Sequence, residues 1–215
     1  MMSNKDNKLI EVQKEIARSV LKDLEVIDPN CILAGGAPRD WFFNKPANDL
    51  DFYVYVEQWQ HARMGQRLNR LGYKDAIKLG HDDPTYKSLK ALQEVWEFTH
   101  MGQRIQLMVM NQPTFSSVLD HFNLDTSKAW WKGWEVNYTS EFILAHMFKV
   151  LMVNADEPPK SAYVEKMTAR YPNYLLTLRT SYDVYIKMYA IKHDLHRSDR
   201  WTVIDHWLNN RKDEL

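Results

Sequence analysis

Residues 33–56 read L-A-G-G-A-P-R-D-W-F-F-N-K-P-A-N-D-L-D-F-Y-V-Y-V. A short apolar run ends in Gly35-Gly36, twelve residues intervene, and Asp49 and Asp51 then lead a β-branched and aromatic segment. Successive side chains of a strand point to opposite faces, so the two Asp share one face while Leu50, Phe52, Val54 and Val56 share the other. The apolar set reads as core and the acids as a paired carboxylate at a strand edge. Neighbouring carboxylates repel unless a positive charge joins them, and a hard divalent cation such as Mg²⁺ or Mn²⁺ meets that need. Gly35 and Gly36, lacking Cβ, can turn tightly and aim backbone N–H groups at an anion, and Pro38 suits the first turn of a helix. Arg39 adds a fork-shaped charge for phosphate. Asp40 reads either as a prop for the turn or as an acid in the first turn of that helix.

This ordered set resembles the signature of the DNA polymerase β-like nucleotidyltransferase superfamily: a Gly pair, a spacer of this length and D-x-D on a strand. The form G-G-A-P-R-D is similar to the G-G-x-x-R-D of CCA-adding enzymes and bacterial poly(A) polymerases, and the resemblance covers roughly residues 25–125. It implies an α/β (α+β) fold with a small mixed sheet flanked by helices. It implies transfer of a nucleoside monophosphate from a nucleoside triphosphate to a hydroxyl of RNA, protein or a small molecule. By the same resemblance Asp49 and Asp51 hold the metal ions, Gly35 and Gly36 cradle the triphosphate, Arg39 assists, and Lys149 either reaches the triphosphate or is a solvated surface lysine.

Complete members carry a third carboxylate on a neighbouring strand, expected here in R-I-Q-L-M-V-M, residues 104–110. Ile105, Leu107 and Val109 alternate as core, so Arg104, Gln106 and Met108 face the Asp side. The third position falls on Gln106, an amide that offers a neutral oxygen and takes no proton near neutral pH. Glu97, His100, Asp120 and Asp125 stand as candidate substitutes. The departure keeps a second class open: a degenerate member that binds nucleotide or a protein partner without turnover. The resemblance stops short of a CCA-adding enzyme, because the nucleotide-choosing E-D-x-x-R motif has no clear counterpart and the chain lacks the length of a tRNA-holding body.

The 215 residues suit an α/β core to about residue 137 and a helical cap or tail over 138–215. Lys plus Arg equals Asp plus Glu at 28 each, so no global basic field draws the chain to nucleic acid. One cysteine, Cys31, fits a reducing compartment and reads as a small core residue. No segment has the length of a membrane span or the pattern of a leader, which predicts a cytoplasmic protein with no membrane partner. The final K-D-E-L reads as a coincidence at a polar helix end.

Apolar spacing predicts helices over 8–27, 57–71 (closed by Gly72), 140–153, 160–170, 173–193 and 199–211, with a short one over 39–43. It predicts strands over 31–34, 73–79, 95–99 and 104–110, the last two a hairpin around Met101-Gly102-Gln103. Thr114 is a candidate cap for a helix carrying Phe115, Val118, Leu119 and Phe122. G-H-D-D-P at 80–84 is a polar loop that reads as solvated or as a metal ligand set. Trp130, Trp131 and Trp134 either stack bases or bury a joint between subdomains.

Overall fold

The computed structural model describes residues 4–79, 91–111, 115–120, 122–153, 161–178 and 181–210; the 80–84 loop, Thr114 and the terminal K-D-E-L lie outside them. Helix α1 (Asn4–Leu24) leads into β1 (Ile32–Ala34), α2 (Gly36–Phe42), β2 (Leu50–Tyr55), α3 (Gln58–His61), α4 (Met64–Arg70) and β3 (Ile77–Leu79). The hairpin β4 (Leu92–His100) and β5 (Gln103–Met110) follows, then α5 (Phe115–Asp120), a 3₁₀ turn at Asp125–Ser127, β6 (Ala129–Trp131) and β7 (Val136–Tyr138). The remainder is α6 (Ser140–Met147), β8 (Val150–Val153), α7 (Ser161–Arg170), β9 (Leu175–Leu178), α8 (Asp183–Lys192) and α9 (Arg200–Asn210).

The expected α/β class holds: among the described residues seven strands form one mixed sheet in the order β3-β4-β5-β2-β1-β6-β7. β2 and β5 run parallel at its centre, flanked by antiparallel pairs. The β4–β5 turn is the short hairpin type that matches strand twist, with Met101 and Gly102 both at positive φ (51° and 79°). One sheet face carries Leu33, Leu50, Phe52, Val54, Ile105, Leu107 and Val109 against α1 and α4, an apolar core that includes Val20, Leu24, Met64 and Leu68. On α1 the buried stripe is Ile10, Ile16, Ala17, Val20, Leu21 and Leu24, whereas Leu9 and Val12 are 44% and 47% exposed. Gln13 takes a place in that stripe because its amide has fixed backbone partners at Ala47.

Several boundaries move. The helix expected over 57–71 is two short helices, and the strand expected over 73–79 is confined to its last three residues. Cys31 is buried, and burial above all pushes its thiol up to about 12, so it behaves as a core residue.

Contacts divide the chain into two compact units, residues 1–122 with 129–137, and residues 123–128 with 138–215. The second unit departs from the all-helical expectation. Residues 140–153 split into α6 and β8, and residues 173–193 split into β9 and α8, with β8 and β9 paired in parallel. V-L-M-V and L-L-T-L are four-residue apolar runs, and a run that short carries no period to separate strand from helix. β8 is wholly buried and contributes Leu151 and Val153 to a small core with Leu124 and Met167.

Candidate functional site

β1 runs antiparallel to β2 with Leu33 opposite Phe52, and one further step of that register sets Ala34 beside Asp51. The Gly corner therefore begins where the Asp strand begins. Gly35 adopts φ 85° and ψ −119°, a conformation open to glycine alone, and its N–H donates to Ala129 O at 2.9 Å. That bond ties the corner to β6. Among the described residues outside its own helix backbone, a Cβ on Gly36 would meet the Arg39 guanidinium at 3.8 Å.

The approach to Asp49 is pinned from two sides. Gln13 Nε2 donates to Ala47 O at 2.6 Å and its Oε1 accepts from Ala47 N at 2.9 Å and Trp41 Nε1 at 3.1 Å. Gln103 Nε2 donates to Asn48 O at 2.8 Å. Neither glutamine was legible as a site element, since a lone amide on a helix or at a turn has no sequence signature.

β5 lies parallel to β2 with Asp51 paired to Gln106, and β4 continues the row with Glu97 paired to Gln106. Trp130 of β6 pairs with Ala34 on the other side. One line across the sheet thus reads Trp130, Ala34, Asp51, Gln106, Glu97. It divides the face into an apolar half, where Ile32, Tyr53, Val95 and Met108 lie under Val118, Leu119 and Phe122 of the α5 region, and a polar half with Asp49, Arg104 and Thr99. Asp49 is 38% exposed through its side chain, whereas Asp51 Oδ1 is buried.

Gln106 Nε2 donates to Glu97 Oε2 at 3.2 Å, so the group the amide can offer a cation is its carbonyl oxygen. Arg104 Nε and Nη2 donate to the same Glu97 oxygen at 2.9 and 2.5 Å, and its Nη1 lies 3.8 Å from Asp49 Oδ2. The hydrogen bond from Arg104 is the chief cause that holds the Glu97 carboxyl below its usual range, with Gln106 adding to it against desolvation. Glu97 is a fixed negative charge and a weakened base.

Arg39 is not on the surface of this face. It is 5% exposed and its Nε donates to Asp40 Oδ1 at 3.0 Å, a buried ion pair. The Asp40 carboxylate holds Arg39, and its backbone O accepts from Lys45 N. His100 points to the opposite face, near Ser19 Oγ and the Tyr73 ring. Asp120 is exposed on α5, which covers the apolar half. Asp125 belongs to the second unit, buried in an ion pair with Lys128 at 3.1 Å and accepting from Tyr182. Lys149 also belongs to the second unit, exposed at φ 53° in the turn between α6 and β8. Of the tryptophans, Trp131 is fully buried edge-on to Trp41, and Trp134 is 88% exposed in the β6–β7 loop. Lys132 of that loop bonds Pro29 O and Cys31 O, which places the loop at the end of β1 away from Gly35.

The donor set fits a hard divalent cation that completes its shell with phosphate and water: two carboxylates and one amide oxygen on a single face. Among the described residues no group of three His, Cys, Asp or Glu forms a self-sufficient cage, and no helix is long and apolar enough to cross a membrane.

The chain belongs to the Gabija anti-defense 2 family, whose pattern matches residues 7–149. No curated protein matches it. Among solved structures it is similar to the CCA-adding enzyme of Bacillus stearothermophilus in complex with CTP, at 10% identity and TM-score 0.48 over 65% of this chain and 33% of that one. It is also similar to a tRNA-processing enzyme in an apo form, at 16% identity and TM-score 0.48 over 92% of this chain and 56% of that one. A third is the Thermotoga maritima CCA-adding enzyme complexed with tRNA, at 12% identity and TM-score 0.46 over 89% of this chain and 49% of that one. The chain spans a third to just over half of these solved chains.

Proposed function

We propose that the protein is a metal-dependent nucleotidyltransferase that moves a nucleoside monophosphate from a nucleoside triphosphate to a hydroxyl of RNA, protein or a small molecule. We further propose that this transfer serves the anti-defense role of its family. The observation that carries the reading is the register that sets Asp51 between the strand leading into Gly35-Gly36 and the strand bearing Gln106. In this reading Asp49, Asp51 and the Gln106 oxygen hold Mg²⁺ or Mn²⁺, which supplies charge neutralisation on the phosphates. Gly36 gives the triphosphate close access to backbone, and the pinned Ala47–Asn48 approach fixes the angle of Asp49. The α-phosphorus exchanges its bond to pyrophosphate for a bond to the acceptor oxygen, whose proton passes to solvent.

Incubation with labelled triphosphates, Mg²⁺ or Mn²⁺, total RNA and cell lysate tests it. Label transfer at least about a hundredfold above Asp49→Ala and Asp51→Ala is the expected result. A second reading, nucleotide binding without turnover, is favoured by Gln106 standing in register with Asp51 where a base would stand. Metal-dependent thermal shifts with a triphosphate but no label on any acceptor would establish it in place of the first.

A further inference from the structure

Two arginines belong to this region, and they differ in what their charge faces. Arg39, from the motif, is sealed against Asp40 with 6% of its side chain exposed. Arg104 stands on the polar half of the acidic face, its side chain 53% exposed. Glu97 receives Nε and Nη2 of Arg104 on one oxygen, which fixes the guanidinium plane, and Gln106 Nε2 donates to the same oxygen. Nη1 is thereby turned toward β2, 3.8 Å from Asp49 Oδ2, a distance of charge attraction rather than hydrogen bonding.

We propose that Arg104, aimed by Glu97, is the side chain that takes a non-bridging phosphate oxygen of a nucleoside triphosphate lying at the Asp49–Asp51 face. The inference rests on the nucleotide-binding part of the function proposed above and assigns its phosphate grip to Arg104 instead of Arg39. A fork already held through Nε and Nη2 by Glu97 loses little further freedom when it meets a phosphate. Until phosphate arrives, the same guanidinium offsets the negative charge of Asp49 and Glu97. It therefore opposes a divalent cation that arrives alone and helps one that arrives with a triphosphate. This gives two effects of opposite sign.

The test uses the full chain, with Mn²⁺ alone titrated by paramagnetic resonance and the Mn²⁺ complexes of ATP, CTP, GTP and UTP titrated by calorimetry. For Arg104→Ala the expected results are nucleotide affinity lowered about tenfold and affinity for Mn²⁺ alone raised severalfold. Arg104→Lys recovers part of the nucleotide loss, and Glu97→Gln loses about threefold because the fork is no longer aimed. Unchanged triphosphate binding in Arg104→Ala overturns the proposal, as does loss of triphosphate and Mn²⁺ together, which marks a structural role. A wild-type chain that binds none of the four triphosphates overturns the nucleotide reading itself, an outcome distinguished by being seen before any substitution.

Discussion

Arg39–Asp40 and Arg104–Glu97 are the same two chemical groups in two settings, one closed off beside the Gly corner and one open on the acidic face. The first pair has 6% and 9% of its side chains exposed, the second 53% and 26%. Inside, neither charge regains water if the contact between them is lost. Outside, water and salt screen the pair, so its contribution to stability is small and its geometry remains available to a ligand. The arginine next to the glycines in sequence thus supports the corner, and the arginine distant in sequence faces the acids.

Three results would sharpen or break that contrast. Arg39→Ala carries the largest expected effect, a loss of about 3–5 kcal/mol of stability from stranding Asp40, read from the urea midpoint. A loss below about 1 kcal/mol would put the pair in the exposed class and remove the distinction. Next, Gly35→Ala lowers stability by about 1–3 kcal/mol because its backbone conformation excludes a Cβ. Gly36→Ala changes stability by less than about 1 kcal/mol, since a Cβ there meets Arg39 at ordinary contact distance. Equal losses at the two glycines would contradict the corner's geometry.

The smallest effect belongs to Glu97. Its folded pKa is lowered, chiefly by the hydrogen bond from Arg104, so its stabilisation is present above the ordinary value of 4.5 and fades as pH falls through the lowered one. Glu97→Gln is accordingly less stable than wild type at neutral pH by under about 1 kcal/mol, and the two converge under strongly acid conditions. A difference that persisted in acid would mean that packing, not charge, holds Glu97.

Much of the β2–β5 strand pair was legible. Alternation put Leu50, Phe52, Val54 and Val56 inside and placed Arg104, Gln106 and Met108 on the Asp side, and the sheet sets Gln106 directly against Asp51. Charge on the Asp side at Arg104 was a signal already in that alternation, but its meaning needed Glu97. The β4–β5 hairpin was readable, yet nothing local says that β4 lies outside β5 and so aligns Glu97 with Gln106. Gln13 and Gln103 were silent for the same reason: their partners at Ala47 and Asn48 are distant in sequence.

By itself the chain fixed the period of its strands, the Gly corner and the spacing to the acids, because these follow from side-chain alternation and backbone sterics within a few residues, while the amide at the third position followed from the resemblance. Only tertiary structure decided which arginine is buried, which carboxylate joins the acidic row and that V-L-M-V and L-L-T-L pair as strands. Those outcomes depend on strand order and on what covers each face, and both are set by contacts between segments far apart in the chain.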